Sequence, residues 1–176
     1  MISLKVFFKE VFLYTISKIA PGISGLASVV LFVRIVGVEE YGSFSYLLSQ
    51  CYLIAAFGFG WLNQSQLRYY NKDYIFKEYN GGQIRAFIYS SIICLIILLF
   101  FSVIQPHSII IFVIAFISIL GIGGFNYIKT FYQARLLPVK ILWISLIQST
   151  SSLILPLLFL TFFTKNSNTI LLGVGA

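Results

Sequence analysis

The segment from Val11 to Val36 constrains the fold more than any other part of the sequence, because it is long and almost wholly apolar. A helix needs about 20 apolar residues to cross the hydrocarbon core of a bilayer, and this segment is long enough. Lys18 is the only charge in its interior. A lysine near the middle of a bilayer costs about 2.5–3.5 kcal/mol on insertion scales, and a purely structural anchor would not need to carry that cost. The segment therefore predicts a membrane span with a functional face.

The overall composition places the chain among integral membrane proteins. Hydrophobic residues make up 59% of the sequence and charged residues 10%, whereas soluble domains carry about 25% charged residues. The first apolar run is too long for a secretory signal peptide, and no clean cleavage site follows it. Cys51 and Cys94 lie inside apolar runs, so we expect buried thiols rather than a disulfide framework.

Five apolar segments and the start of a sixth predict an all-α, polytopic helix bundle that forms one transmembrane domain over residues 1–176. The predicted spans are residues 11–36, 41–67, 86–104, 109–128 and 141–163, with the start of a sixth at 169–176. A charged segment from Arg68 to Arg85, ending near a Gly81-Gly82 turn, separates the second and third spans. The residues from 169 onward are too few to cross a membrane alone.

Three of the predicted spans carry polar and small residues on a single helical face, at spacings of three or four. In the first span this face combines Lys18 with a Pro21-Gly22 step, which loosens the helix next to the charge. The three faces consist of Tyr14, Lys18, Pro21, Gly25 and Ser28; of Ser45, Ser49, Tyr52, Ala56, Gly60 and Asn63; and of Ser145, Gln148, Ser149, Ser152 and Pro156.

From these faces we predict a cationic pocket that binds an anionic substrate within the membrane. The predicted substrate-binding residues are Lys18, Tyr14, Ser45, Ser49, Asn63 and Gln148. The alternative for Lys18 is that its long side chain reaches back to the headgroups, which requires no function. We favour the functional interpretation because the lysine shares its face with the proline and the small residues.

Residue types that support catalysis or metal binding are scarce. His107 is the single histidine and lies in a short turn, where a solvated side chain is the ordinary outcome. The sequence has no P-loop or dinucleotide-binding pattern, and the glycines of GIGGF lie inside a span, where small residues indicate close helix packing. No Asp or Glu lies within a predicted span, so no carboxylate relay for protons or sodium can be assigned. We therefore expect a protein that is not an enzyme and uses no metal or other cofactor.

The positions of lysine and arginine predict the orientation in the membrane. With a cytoplasmic N-terminus, the outer segments hold Arg34 and Lys165, and the cytoplasmic segments hold Lys5, Lys9, Arg68, Lys72, Lys77, Arg85, Lys129, Arg135 and Lys140. This distribution follows the positive-inside rule. Because the charges cluster at the ends of spans, the formal net charge of +7 does not indicate nucleic-acid binding.

The junction between the first two spans reads RIVGVEEYGSFSYL, from Arg34 to Leu47. It resembles the R-x-x-G-x-x-x-Y-G-x-F junction of bacterial polysaccharide flippases, the O-antigen exporters of the multidrug/oligosaccharidyl-lipid/polysaccharide superfamily. The pattern is filled by Arg34, Gly37, Tyr41, Gly42 and Phe44. Glycines suit a tight turn, and Arg34 and Tyr41 suit a membrane interface, so we expect structural roles for these residues. The stretches AFGFG and LRYYNK resemble the end of the family's second helix and the loop after it. The stretch FYQARLLPVK resembles the connection between the family's fourth and fifth helices.

The resemblance implies the MATE-like fold, in which two helical lobes enclose a central cavity. The chain covers the first lobe and ends inside its sixth helix, so we expect a truncated gene product or a fragment. The implied activity moves an undecaprenyl-pyrophosphate-linked oligosaccharide, such as an O-antigen repeat unit for lipopolysaccharide, across the bacterial inner membrane. By the same analogy, Lys18 meets the pyrophosphate or an acidic sugar. The implied partners are the lipid bilayer, the lipid-linked oligosaccharide, and the polymerase or glycosyltransferases of the same pathway.

Two alternatives belong to other functional classes. A cation-coupled multidrug exporter of the same superfamily shares the lobe architecture, but a basic cavity repels cationic drugs and no carboxylate is available in a span for coupling. A non-transporting membrane interaction subunit agrees with the absence of a second lobe, although such a subunit does not require the polar faces.

The predicted orientation is open to a direct test by cysteine labelling. In a chain whose native cysteines are replaced by alanine, Ser108→Cys should react with a membrane-impermeant maleimide on intact cells. Lys77→Cys should react only after permeabilisation, because the excess of positive charge keeps its segment in the cytoplasm. Labelling of Lys77→Cys on intact cells would reverse the orientation.

Overall fold

The computed structural model describes residues 4–69, 76–104, 108–162, 170, 171, 173 and 174. The described residues form five long helices: α1 (Leu4–Val36), α2 (Val38–Tyr69), α3 (Phe76–Ile104), α4 (Ile109–Ala134) and α5 (Pro138–Phe162). Each helix contains a segment long and apolar enough to cross a membrane. The prediction of an all-α, polytopic membrane bundle is therefore confirmed.

Two of the helices pass through points at which the sequence predicted a turn or an end. Gly81 and Gly82 lie inside α3, which begins at Phe76, so the predicted turn at these glycines is wrong. A glycine in a helix costs only about 1 kcal/mol, which a helix of this length tolerates. Pro21 lies inside α1, as the predicted span over residues 11–36 requires. Lys129 belongs to α4, which continues past the predicted end of the fourth span to Ala134.

A single residue, Gly37, separates α1 from α2. Its φ angle is +91°, a region that other residues enter only at a steric cost. The Gly37 amide donates to the carbonyl of Val33 at 3.0 Å, and its own carbonyl accepts from Tyr41 at 3.1 Å. Gly37 thus closes one helix and opens the next.

The aromatic residues of the junction hold its two helices together. Phe44 is buried and meets the ring of Phe32 on α1 edge-on at 6.3 Å, and Tyr41 lies 5.7 Å from Phe44. Arg34 lies exposed in the last turn of α1. The Gly42 backbone has open space around it.

The helices pack in an order that differs from their order in the chain. α1 packs mainly against α5, and these two helices form one group. α2 packs mainly against α4 and also against α3, and these three form a second group. The two groups meet mainly where α4 contacts α5. Three aromatic rings pack together in the second group. The ring centroid of Phe87 on α3 lies 4.9 Å from that of Phe59 on α2 and 5.4 Å from that of Tyr127 on α4.

The two cysteines are free and buried, as predicted. Each thiol points across a helix interface to a backbone carbonyl, from Cys51 to Ala115 at 3.8 Å and from Cys94 to Ile54 at 3.7 Å. They act as small packing residues with a weak donor. Close packing is also visible at Gly58, where an added methyl group would collide with the sulfur of Cys94.

Part of the predicted sixth span lies outside the described residues. Within the segment 169–176, Ile170, Leu171, Gly173 and Val174 are helical, and the first two are fully buried. The Ser118 hydroxyl of α4 donates to the Leu171 carbonyl at 3.2 Å. This segment therefore packs against the bundle.

Two adjacent glycines of α4 test the packing of α2 on α4. A methyl group added at Gly123 would collide with the ring of Phe59, whereas Gly124 faces open space. We expect Gly123→Ala to lower the free energy of unfolding by about 1–3 kcal/mol. Gly124→Ala should leave it unchanged or raise it by up to about 1 kcal/mol, because alanine favours the helix. Denaturant titration in detergent measures both, and equal losses would contradict the close contact.

The turn between α1 and α2 yields a second matched pair. Gly37→Ala places a side chain in the left-handed region and should cost about 1–2 kcal/mol. Gly42→Ala, one turn further on in α2, meets open space and should be neutral or slightly stabilising. Thermal unfolding of the two variants compares them, and an unchanged midpoint for Gly37→Ala would contradict the requirement for glycine.

Candidate functional site

Two lysines on different helices lie inside the membrane-spanning part of the chain. Lys18 is on α1 and Lys129 is on α4, and the two are near enough for their positive charges to repel each other. Lys129 lies about 7 Å from the end of α4, and Lys18 lies about 10 Å past Val11, where the apolar segment of α1 begins. Lys129 is half-buried and Lys18 is exposed.

The apolar segment of α1 and the whole of α4 carry no acidic residue. The acidic residues of the chain stand at positions 10, 39, 40, 73 and 78. Two like charges in a medium of low dielectric constant destabilise each other, and an anion placed between them removes that cost. The pair is therefore suited to hold an anionic group.

The other residues of the predicted α1 face are largely accessible. Tyr14 and Gly25 are exposed, and Ser28 is half-buried, with its hydroxyl donating to the Ser24 carbonyl at 2.8 Å. Ser24 in turn donates to the Pro21 carbonyl at 3.1 Å. The serines thus satisfy their hydroxyls within the helix and leave Lys18 and Tyr14 as the groups able to meet a ligand.

The predicted residues of α2 are spread along the helix. Measured from Gly37, Ser45 lies about 12 Å, Ser49 about 18 Å and Asn63 about 39 Å along α2, while Lys18 lies about 28 Å along α1. Ser49 donates to the Ser45 carbonyl at 2.8 Å. The two serines therefore lie in a different layer of the bundle from Lys18.

On α5, Gln148 is half-buried, and its neighbours on the same face, Ser145 and Ser149, are buried. Ser149 donates to the Ser145 carbonyl at 2.6 Å. Since α5 is the main packing partner of α1, small serines at these positions suit close helix contact. Gln148 is the member of this face that retains a long polar side chain.

Gln66 of α2 and Tyr127 of α4 lie at the same end of the bundle as Lys129. The sequence analysis selected neither of them as a site residue. Gln66 of α2 is fully buried, and neither of its amide atoms makes a hydrogen bond in the described part of the chain. The Tyr127 side chain approaches it from α4. Continuing the polar face of α2 by three residues beyond Asn63 would have found Gln66. Lys129 would have been found by extending the helix through the polar residues after Ile128.

A small pocket between α2, α3 and α4 has a different character. Its volume is about 30 Å³, and it is lined mainly by apolar residues, among them Leu47, Ile54, Leu98 and Ala115. A space of this size holds about one water molecule. It is too small to bind a substrate.

Comparison of the chain with protein-family models, with curated proteins and with solved structures found no match in any of the three. The functional argument therefore depends on the site itself. The chain is a multi-pass membrane protein, and its clearest chemical feature is a pair of lysines within the bundle.

Proposed function

We propose that this protein belongs to the polysaccharide flippases of the multidrug/oligosaccharidyl-lipid/polysaccharide superfamily. Its substrate in this proposal is an undecaprenyl-pyrophosphate-linked oligosaccharide, which it moves from the inner to the outer leaflet of a bacterial inner membrane. The N-terminus is cytoplasmic, so that Lys18 and Lys129 lie nearer the inner leaflet.

The observation that supports the proposal most directly is that Lys18 and Lys129 lie in membrane-spanning segments of two helices, within range of each other's charge. A diphosphate carries several negative oxygens, and a lysine ammonium binds phosphate as a compact point charge. Charged residues within membrane helices are costly and typically mark the path of a substrate or an ion. A pair of them on separate helices matches a charged headgroup that enters from one leaflet.

The same pair weighs against a cation-coupled drug exporter. Cationic drugs are repelled by two neighbouring ammonium groups. Coupling to protons or sodium commonly uses carboxylates inside the membrane, and the acidic residues of α2, Glu39 and Glu40, are confined to its first turn. Among the transport functions considered, export of an anionic lipid-linked substrate agrees best with these charges.

Replacement of Lys18 tests the proposal. In a strain that lacks its own flippase, Lys18→Ala in the complete protein should lower surface polysaccharide per inserted molecule about tenfold or more, since it removes a charge-assisted contact. Lys129→Ala should act in the same direction. Lys18→Arg should retain part of the activity, because the charge survives although its shape changes.

Arg34→Ala is the matched control, since it removes an exposed cation at the other end of the same helix. It should leave transport per inserted molecule unchanged. Transport by Lys18→Ala at the wild-type level and at equal abundance would end the proposal and favour a side chain that only reaches the headgroups. Failure of the wild-type protein to restore polysaccharide would contradict the flippase activity.

A further inference from the structure

Gln66 of α2 is a long polar side chain in the interior of the bundle. Its exposed fraction is 0%, and neither the nitrogen nor the oxygen of its amide group makes a hydrogen bond within the described part of the chain. In folded proteins almost every buried polar group has a partner, which is either another protein group or an ordered water molecule. Gln66 therefore indicates a ligand that supplies these hydrogen bonds.

The packing of α2 on α4 shows which residues of α4 lie at the level of Gln66. Two contacts fix the register, and in both the partners are 64 residues apart in the chain: Cys51 with Ala115 and Phe59 with Gly123. The two helices therefore run parallel, and the same register places Thr130 opposite Gln66. Thr130 is buried. Tyr127, one turn earlier on α4, approaches Gln66 with its side chain.

The third helix at this level is α3. Two contacts show that it runs antiparallel to α2: Cys94 with Ile54 and Phe87 with Phe59. Continuing this register beyond the aromatic rings brings Gln83 to within one turn of the level of Gln66. The amide oxygen of Gln83 is buried and makes no hydrogen bond to the described residues, and the amide oxygen of Asn63, one turn before Gln66, is in the same state.

These residues of three helices form a polar layer, which consists of Asn63, Gln66, Gln83 and Thr130. Three amide oxygens and the Gln66 amide nitrogen in this layer are buried and unpartnered within the described residues. The ligand must therefore donate to oxygens and also accept from a nitrogen. A water molecule does both, and buried waters typically make about three hydrogen bonds to polar groups of the protein.

An ion fits the polar layer less well than water does. A sodium ion would bind the amide oxygens and leave the Gln66 nitrogen without an acceptor, whereas a chloride ion would bind the nitrogen and leave the oxygens without a donor. The charge of Lys129, which directly precedes Thr130 in α4, further disfavours a cation.

A path for water leads along the groove between α3 and α4. Two adjoining parts of this groove have volumes of about 410 Å³ and about 320 Å³, and Tyr127 lines both. The same side chain approaches Gln66, so the groove reaches the edge of the polar layer. Tyr127 lies about 10 Å from the end of α4, which is a short distance from the membrane surface.

We propose that the polar layer is a buried water-binding site that links α2, α3 and α4. Water accepts from the Gln66 amide nitrogen and donates to the amide oxygens of the layer. The carboxamides of α2 and α3 are then joined through water, at the end of the bundle that holds Lys129. The site does not depend on the proposed transport activity.

Water-edited solid-state NMR of the complete chain in phosphatidylcholine bilayers tests the proposal directly. With nitrogen-15 in the glutamine side chains, the Gln66 amide should receive magnetisation from water within about twofold of the rate at Gln64. Gln64 is the matched reference, because it is exposed and lies two residues away on the same helix. The variants Gln66→Met and Gln64→Met assign the two signals. Transfer to Gln66 that is slower by about tenfold or more would show a dry interior and overturn the proposal.

Thermal unfolding gives a second test, in which the sign of the change decides. Gln66→Met removes one partner of the water and leaves the others unpartnered, so it should lower the unfolding midpoint by about 3–6 °C. Gln83→Met should act in the same direction. The double variant should lose less than the sum of the two, because both partners are removed together. Gln64→Met should leave the midpoint unchanged.

The opposite sign in the unfolding experiment would contradict the water site. If Gln66 has no ligand, Gln66→Met removes an unpartnered polar group and should raise the midpoint. Additive losses in the double variant would show that Gln66 and Gln83 share no partner. Replacement of sodium by choline, or of chloride by gluconate, should leave the Gln66 amide signal in place. A signal that requires sodium or chloride would assign the site to that ion instead.

Discussion

The absence of water from the bilayer core is the constraint on which the rest of the structure depends. Every backbone amide and carbonyl within the membrane must find a partner in the protein, and a helix satisfies them within one segment. The side chains obey the same rule, because most of the described serine hydroxyls donate to a carbonyl one turn earlier in their own helix, as Ser28 and Ser49 do. The serines of the predicted polar faces therefore make most of their hydrogen bonds within their own helix. Only longer side chains such as Lys18 and Gln148 can reach a ligand.

Association of the helices then depends on complementary shape. Lipid tails are as apolar as leucine, so the hydrophobic effect contributes little free energy to helix–helix contact. The bundle uses glycine and cysteine for this purpose. Gly58 admits the sulfur of Cys94, and Gly123 admits the ring of Phe59. At the neighbouring Gly124 an added methyl group would meet no other atom within 4 Å, so two adjacent glycines of one sequence motif have opposite surroundings. Close packing and open space arise at successive residues because they lie on different faces of α4.

Hydropathy predicted the five helices well because apolar length is what a membrane selects. Hydropathy did not predict where the helices end, because an apolar segment is as long as the bilayer is thick, whereas the helix continues for as long as its backbone hydrogen bonds do. The chain after Ile128 stays helical to Ala134, and Leu136 then adopts a left-handed φ of +55° shortly before Pro138. The electrostatic interaction between Lys18 and Lys129 could not be predicted from the sequence, for a different reason. It depends on α1 packing mainly against α5, which itself contacts α4, and the periodicity of a single sequence carries no information about which helices become neighbours.

This order of packing has a consequence for biogenesis. The main partner of α1 is made last among the five helices, because about 100 residues separate Val36 from Pro138. At about 5–20 residues per second, synthesis of that stretch takes roughly 5–20 s. During this interval α1 waits in the membrane with its main docking surface unoccupied and a lysine in its apolar segment. The chain therefore persists as a half-assembled intermediate until α5 is complete, because the surface of α1 that α5 covers has no earlier main partner.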